Sequence, residues 1–399
     1  MEQLIGKYRK KLNTVPTGFV RSLMDEIQWD ARLIGIKGAR GVGKTTLLLQ
    51  YIKENFSSYE DVLYVSLDDI WFADNSLTDL ADTFTKNGVK HLFLDEVHRY
   101  PNWSQEIKNI YDDHPELQVV FTGSSLLEII MARADLSRRA TPYSMQGLSF
   151  REYLNLLTGN SFKSYKLNEI LFGHSQITSE INAHVRPIKH FNDYLESGYY
   201  PFFREVPELY HERINEVLNL ILDVELPMLR NVDIGNVPKL RQLLLVIAES
   251  SPFVPNISKL SQKLNINRNT LVTYLHYLEE AGIIKSLYKK AKGISRLQKP
   301  DKILMENSNF SFALTTEKPE KGSLRETFFV NQVGYNHQIT YAENGDFVVD
   351  NEYLVEIGGH QKDSSQLGNW SENKAFLALD DQEYGHKNKV PLWLFGFLY

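Results

Sequence analysis

One stretch of consecutive residues, Gly38-Ala39-Arg40-Gly41-Val42-Gly43-Lys44-Thr45, combines the residue types needed to grip a phosphate. Its spacing fits G-x-x-x-x-G-K-[ST]. Glycines let the backbone wrap an anion without Cβ clashes and turn several N–H groups inward. The Lys44 ammonium can reach the outer phosphates of a nucleotide, and the Thr45 hydroxyl can bind Mg²⁺. A helix beginning at Thr45-Thr46 would aim its positive end at the same anion. Gly38, Arg40, Gly41, Val42, Gly43, Lys44, Thr45 and Thr46 are therefore the candidate nucleotide-binding residues.

A second stretch, His91-Leu92-Phe93-Leu94-Asp95-Glu96, is an apolar strand ending in two acids. Paired with the phosphate loop, it completes a site for hydrolysing a nucleoside triphosphate such as ATP. Asp95 would hold Mg²⁺ through water and Glu96 would polarise the attacking water. Adjacent carboxylates need a nearby cation to stay ionised, and Mg²⁺ supplies it. A further apolar strand, Leu117 to Thr122, ends in Gly123-Ser124-Ser125. Thr122, Ser124 and Ser125 are the polar residues at its tip. Ser125 is also suited to cap a helix starting near Leu126.

These residues need a scaffold. Leu33-Ile34-Gly35-Ile36 reads as a buried strand feeding the loop, and a helix to about Phe56 should follow it. A strand, Val62 to Leu67, comes next, with Asp68-Asp69 at its C-terminal end. That end of an open α/β sheet faces the ligand, so the two acids either touch metal-bound water or cap the next segment. Trp103 opens a helix running to about Asp113 and reads as a packing anchor. The expected fold class is α/β: a P-loop ATPase core with a parallel sheet over 1–149, followed by further domains.

The 399 residues exceed one compact domain, and 42% hydrophobic content allows real cores. The net charge of −6 argues against a globally basic nucleic-acid protein but leaves room for a local basic patch. With no cysteine, disulfides, thiol catalysis and Cys-ligated zinc are excluded. The first residues lack a signal-peptide core, and no apolar run is long enough to span a bilayer. The expectation is a soluble cytoplasmic chain without membrane contact.

Residues 150–235 read as an interrupted helical lid. Within it Gly198-Tyr199-Tyr200-Pro201 has two readings: an ordinary helix stop, or a turn that resembles the Gly-x-Pro turn in the lids of a signalling branch of P-loop ATPases, where Pro201 would lie against adenine. Residues 236–300 read as a winged helix-turn-helix. Its third helix offers Arg268, Asn269, Thr273 and His276, and its wing and exit carry Lys289, Lys290, Lys292, Arg296, Lys299 and Lys302. That basic stripe suits DNA, while winged helices also serve as protein contacts inside ATPases. In 301–399 a helix from Gly322 to Val333 and three strands present Glu326, Asp346 and Glu356. The order resembles a restriction-endonuclease-like fold. A working site needs Glu-x-Lys, but Gly358 stands at the lysine position and Lys362 lies further on. The expectation is a degenerate nuclease fold without activity. The apolar tail, Val390 to Tyr399, reads as a buried final strand.

Taken together, the loop, Phe93 to His98, Tyr100-Pro101-Asn102-Trp103, Phe121 to Ser125 and Leu148 to Tyr153 resemble a prokaryotic family of AAA-type ATPases with a C-terminal domain of unknown function. The resemblance implies a strand between the two catalytic strands, with a polar residue at its tip that senses the γ-phosphate; Thr122, Ser124 and Ser125 are the candidates, with Ser124 favoured. It also implies an arginine finger acting on a neighbouring subunit, and hence a homo-oligomer such as a hexameric or heptameric ring. Arg139 falls on the family arginine. Arg138 replaces the usual glycine, and a surface salt bridge is the competing reading for this pair. The purpose of hydrolysis is open between a DNA motor, a nucleotide-controlled switch on protein partners, and an ATP-dependent nuclease.

Overall fold

The computed structural model describes residues 2–399 except 58–60, 125–135, 137, 251–252, 290–298, 343–344, 363–369 and 372. The chain divides into two compact units, Met1–Gly147 and Leu148–Tyr399.

The first unit is built on five strands: β1 (Leu33–Lys37), β2 (Val62–Ser66), β3 (His91–Asp95), β4 (Gln118–Gly123) and β5 (Thr141–Ser144). Their order is β2-β3-β4-β1-β5, all parallel. Strands β1 to β4 are nearly continuous apolar runs because helices cover both faces of such a sheet. Among the described residues the α-helices of this unit are α1 (Glu2–Thr14), α2 (Leu23–Glu26), α3 (Lys44–Asn55), α4 (Leu77–Lys86) and α5 (Trp103–Asp113). In α1, Leu4, Tyr8 and Leu12 recur every four residues and are buried. As the family resemblance implied, β4 lies between β1 and β3, the strands that precede Gly38 and Glu96. The fifth strand has no counterpart among the expected elements. Thr141-Pro142-Tyr143-Ser144 is not an apolar run, and it survives as an edge strand, where a proline is tolerated.

Trp103 is buried in the core of this unit and packs near Phe121, as a packing anchor should. Asp69 caps the short helix Ile70–Ala73 through Trp71 N, which favours the capping reading for that acid.

The second unit opens with the helix Phe150–Thr158, started by a full capping box between Ser149 and Glu152. The Ser149 hydroxyl and Arg151 Nε both donate to the Tyr399 carbonyl, each at 2.8 Å. The expected lid segment and the end of the chain thus share one unit. Helices Leu167–Asn182, Pro187–Ser197 and Tyr210–Leu220 follow, then a π turn at Ile221–Glu225. Gly198 ends the helix Pro187–Ser197, and Pro201 opens the single turn Pro201–Arg204.

Three helices, Val237–Glu249, Ile257–Leu264 and Arg268–Glu280, precede an antiparallel ribbon of β6 (Ile284–Leu287) and β7 (Lys302–Met305). After helices Ser308–Leu314 and Lys321–Val333 comes a second sheet. Its strands are β8 (Ile339–Tyr341), β9 (Phe347–Val349), β10 (Tyr353–Gly358), β11 (Ala375–Leu379) and β12 (Lys389–Pro391), in the order β12-β11-β10-β9-β8. The tail corrects one expectation. It is buried, but only Lys389–Pro391 is strand, and Leu392–Phe397 is a 3₁₀ helix. Every side chain from Leu392 to Phe397 is enclosed, so the segment has no solvent face to alternate against. Among the described residues, no helix is long and apolar enough to cross a membrane.

Candidate nucleotide site

The phosphate loop leaves β1 and enters α3, so its amides lie at the C-terminal edge of the sheet. Gly41 (φ 86°) and Gly43 (φ 101°) adopt left-handed conformations that side chains resist. Lys44 is buried and donates to the carbonyls of Gly38 (2.8 Å) and Ala39 (3.0 Å). Its ammonium is thereby folded across the loop that a phosphate would fill. Val42 is enclosed, Arg40 is exposed, and Thr46 is half-buried in the first turn of α3.

Asp95 ends β3 and is buried. Its Oδ2 accepts from Thr45 Oγ1 (2.6 Å) and from Tyr64 OH (2.7 Å), and its Oδ1 accepts from Thr122 Oγ1. Burial, then the charge of Asp95, pushes the Tyr64 phenol far above its ordinary range, so it stays a donor. Thr45 and Asp95 present hard oxygens 2.6 Å apart, which suits Mg²⁺ completed by phosphate oxygens and water. Among the described residues no group of three or more His, Asp or Glu forms a metal cage. A cation here would rely on Thr45, Asp95 and the nucleotide itself.

Glu96 sits in the left-handed region at φ 54°, a costly conformation for a side-chain-bearing residue that recurs at functional sites. Its Oε2 accepts from Ser124 Oγ at 3.0 Å, and Ser124 Oγ is 3.2 Å from His98 Nε2. Burial, reinforced by the charges of Arg99, Lys44 and Arg40, lowers the His98 imidazole to about 4. His98 is therefore neutral at physiological pH, and its 3.5 Å approach to Glu96 is no ion pair there. Ser124 and His98 hold the Glu96 carboxylate without neutralising it.

Burial also pulls the Lys44 ammonium down to about 8, against the opposing pull of Glu96 and Asp95. A phosphate binds the charged form. Above about pH 8 the free site must take up a proton before it binds, so affinity is lost as pH rises. The dissociation constant for ADP should be flat below that pH and rise above it, approaching about tenfold per pH unit. Calorimetric titrations on both sides of pH 8 check this, and an affinity that holds or strengthens through the range would contradict it.

The first unit thus brings Lys44, Thr45, Asp95, Glu96 and Ser124 together. It keeps Arg139 apart. The Arg139 guanidinium makes a bidentate pair with Asp112, both contacts at 2.9 Å. Asp112 lies in the last turn of α5 just ahead of β4, and Arg139 precedes β5, so the pair lies at the N-terminal edge of the sheet. The phosphate loop is at the other edge. Arg138 is exposed. Pro201 belongs to the second unit and is half-buried. Ser125 lies outside the described residues, as do Lys290, Lys292 and Arg296.

Roles for Arg21, Tyr64 and His98 are not among the sequence expectations, although His98 closes the stretch Phe93 to His98. His98, two residues after Glu96, carried a faint signal by proximity. Tyr64 lies inside an apolar strand and Arg21 in a lead-in whose helix-like spacing from Phe19 to Met24 points to no chemistry, so neither had one.

In the second unit Arg268, Asn269, Thr273 and His276 are all exposed along the helix Arg268–Glu280, and Lys289 is half-buried. Lys302 does not belong to the basic stripe. It is buried on β7 and ion-paired with Glu326, because the ribbon packs against the helix Lys321–Val333. Beyond it, Glu356 is buried on β10, and Lys362 Nζ reaches its Oε1 at 2.5 Å. Lys362 doubles back over Gly358, where an added Cβ would sit 2.6 Å from Lys362 Cβ. Asp346 Oδ2 accepts from Ile357 N at 2.7 Å. Burial pushes Glu356 up and Glu326 up to about 7, with the lysines opposing in both cases.

Residues 30–154 match the AAA domain family, and residues 188–319 match a domain of unknown function. The chain is 25% identical over 398 residues to an uncharacterized protein of Methanocaldococcus jannaschii, covering 91% of this chain and 84% of that one. Among solved structures it is similar to a Walker-type ATPase of Pyrococcus abyssi (15% identity, 74% of this chain and 95% of that one, TM-score 0.44). It is also similar to AMPPCP-bound DnaA from Aquifex aeolicus (15%, 69% and 86%, TM-score 0.26). With its phosphate loop, its acid-tipped strand and a fourth strand between them, the first unit carries an AAA domain of the P-loop ATPase type.

Proposed function

We propose that the chain binds and hydrolyses ATP with Mg²⁺, and that it works as a homo-oligomeric ring acting on DNA. The convergence of Lys44, Thr45, Asp95 and Glu96 at one edge of the sheet carries the hydrolytic reading. Lys44 and the loop amides take the phosphates, and Thr45 and Asp95 hold the cation. Glu96 accepts the proton of the attacking water while Ser124 reports on the γ-phosphate. Mg²⁺ neutralises phosphate charge when bound.

Arg139 lies at the edge of the sheet opposite its own loop, so it can serve only another subunit's nucleotide. To do so it must leave Asp112, an exposed pair worth little in water. The DNA reading rests on taking 236–300 as a winged helix-turn-helix, with Arg268, Asn269 and Thr273 exposed on its third helix and Lys289 at the start of its wing. The removal of Lys302 from the stripe favours the second reading, a nucleotide-controlled switch on a protein partner. Nuclease activity is disfavoured by Gly358 at the lysine position and by Asp346, which spends an oxygen on the backbone; Lys362, whose ammonium reaches Glu356, is the feature that speaks for it.

ATPase rate measured with and without single-stranded, duplex and branched DNA, alongside mass in solution, separates these readings. A DNA motor should be a multimer, stimulated by DNA, with binding that weakens steeply as salt rises. A switch should turn over slowly and ignore DNA.

A further inference from the structure

The phosphate loop rests on the last residues of its own unit. Met145 N donates to Lys37 O at 2.7 Å. Gly38 packs so tightly on the Met145 carbonyl that a Cβ there would collide with it. Arg21 closes the same contact through a second route. Its guanidinium donates to Val42 O (2.6 Å), Gln146 O (2.9 Å) and Gly147 O (2.9 Å). Arg21 is buried, so its charge needs these strong acceptors in place of water. The Val42 carbonyl lies within the phosphate loop. Gln146 and Gly147 are the final residues before the second unit begins at Leu148.

The peptide between Val42 and Gly43 is planar and trans, so its C=O and N–H point in opposite directions. Holding the carbonyl on Arg21 turns the Gly43 N–H away from Arg21. Any rotation of that peptide as a phosphate draws on the N–H must therefore move the carbonyl against the guanidinium. The guanidinium is planar and rigid and holds Gln146 and Gly147 at its other nitrogen.

We propose that Arg21 is a positioning residue that ties the phosphate loop to Gln146–Gly147, so that filling of the loop is felt where the first unit hands over to the second. The proposal rests on the reading of the loop as a nucleotide site. It assigns the guanidinium no contact with the nucleotide.

Hydrogen–deuterium exchange on the full chain, with and without ADP and Mg²⁺, tests it in the wild type, Arg21→Lys and Arg21→Gln. Nucleotide affinity is measured in parallel by calorimetry. In the wild type, nucleotide should slow exchange both in the loop and in a peptide spanning residues 145–150. In Arg21→Lys the ammonium keeps three donors but loses the rigid fork that serves Val42 O from one nitrogen and the Gln146 and Gly147 carbonyls from another, so it cannot span both sides; affinity should fall about tenfold. At saturating nucleotide the loop should still respond while the response at 145–150 is lost. A lost response at 145–150 together with a kept response in the loop is what a merely structural role would not produce.

An unchanged response at 145–150 in Arg21→Lys overturns the proposal. So does a wild-type response confined to the loop, a result that needs no variant to fold. A wild type that binds no nucleotide removes the functional reading and the proposal together, and calorimetry distinguishes that failure from the other two.

Discussion

Glu96→Gln should leave ATP bound and slow its hydrolysis by about 10²–10⁴-fold, the usual contribution of a positioned general base. Glutamine keeps the shape of the side chain and can still pair with Ser124, which lies 3.0 Å from Glu96 Oε2. It cannot take a proton from water. The backbone should tolerate the change, since its left-handed conformation at φ 54° is no harder for glutamine than for glutamate. Phosphate release in a single turnover, with ADP affinity as the control, reads the effect. Wild-type turnover in this variant would take the base role away from Glu96. Unchanged turnover combined with lost binding would place Glu96 in the nucleotide grip instead.

Lys44→Ala should lose nucleotide affinity and turnover together, each by about a hundredfold or more, because a charge held in a dry, preorganised site acts far more strongly than one in water. Lys44 is buried, and its ammonium already rests on the carbonyls of Gly38 and Ala39. An incoming phosphate therefore exchanges neutral acceptors for charged ones at the same nitrogen. Calorimetry with ADP and a steady-state phosphate assay measure the two losses, and a circular dichroism spectrum confirms that the variant is folded. ATP hydrolysis that survives this substitution would collapse the nucleotide reading as a whole. The two substitutions are expected to differ in kind: the lysine change should impair binding and turnover together, the glutamate change turnover alone.

The parts of the site that were legible in the sequence share one property. A phosphate loop wraps its anion with consecutive amides, so residue spacing encodes geometry directly. The same holds for Asp95-Glu96 at the end of a strand, because a parallel sheet sends all its C-terminal ends to one edge. The parts that were not legible act through space. Arg21 lies 21 residues from Val42 and 125 from Gln146, and no local pattern links them. Tyr64 reads as one more apolar strand residue until β2 is placed beside β3, where its hydroxyl meets Asp95.

Charge patterns misled in a related way. Lys302 was one cation among several along the wing, yet the fold buries it against Glu326. Lys362 followed Gly358 at the wrong spacing for a nuclease lysine, yet the chain folds back and delivers its ammonium to Glu356. In both cases the partner is a carboxylate on a different element, and the pairing is set by packing rather than by distance along the chain. The edge strand β5 and the 3₁₀ tail were missed for the same reason. Each is stabilised by what it packs on, not by its own period.

By itself, then, the sequence determined the α/β core, the phosphate loop, the candidate metal acid and the candidate base. All of these are local motifs whose geometry follows from backbone stereochemistry over a few residues. Only the tertiary structure decided what braces them. It set three hydroxyls on Asp95, a neutral His98 beside Ser124, and an arginine binding the loop to the end of its unit. Those contacts join distant stretches of chain, and they form only where the sheet order and the burial of each helix bring the stretches together.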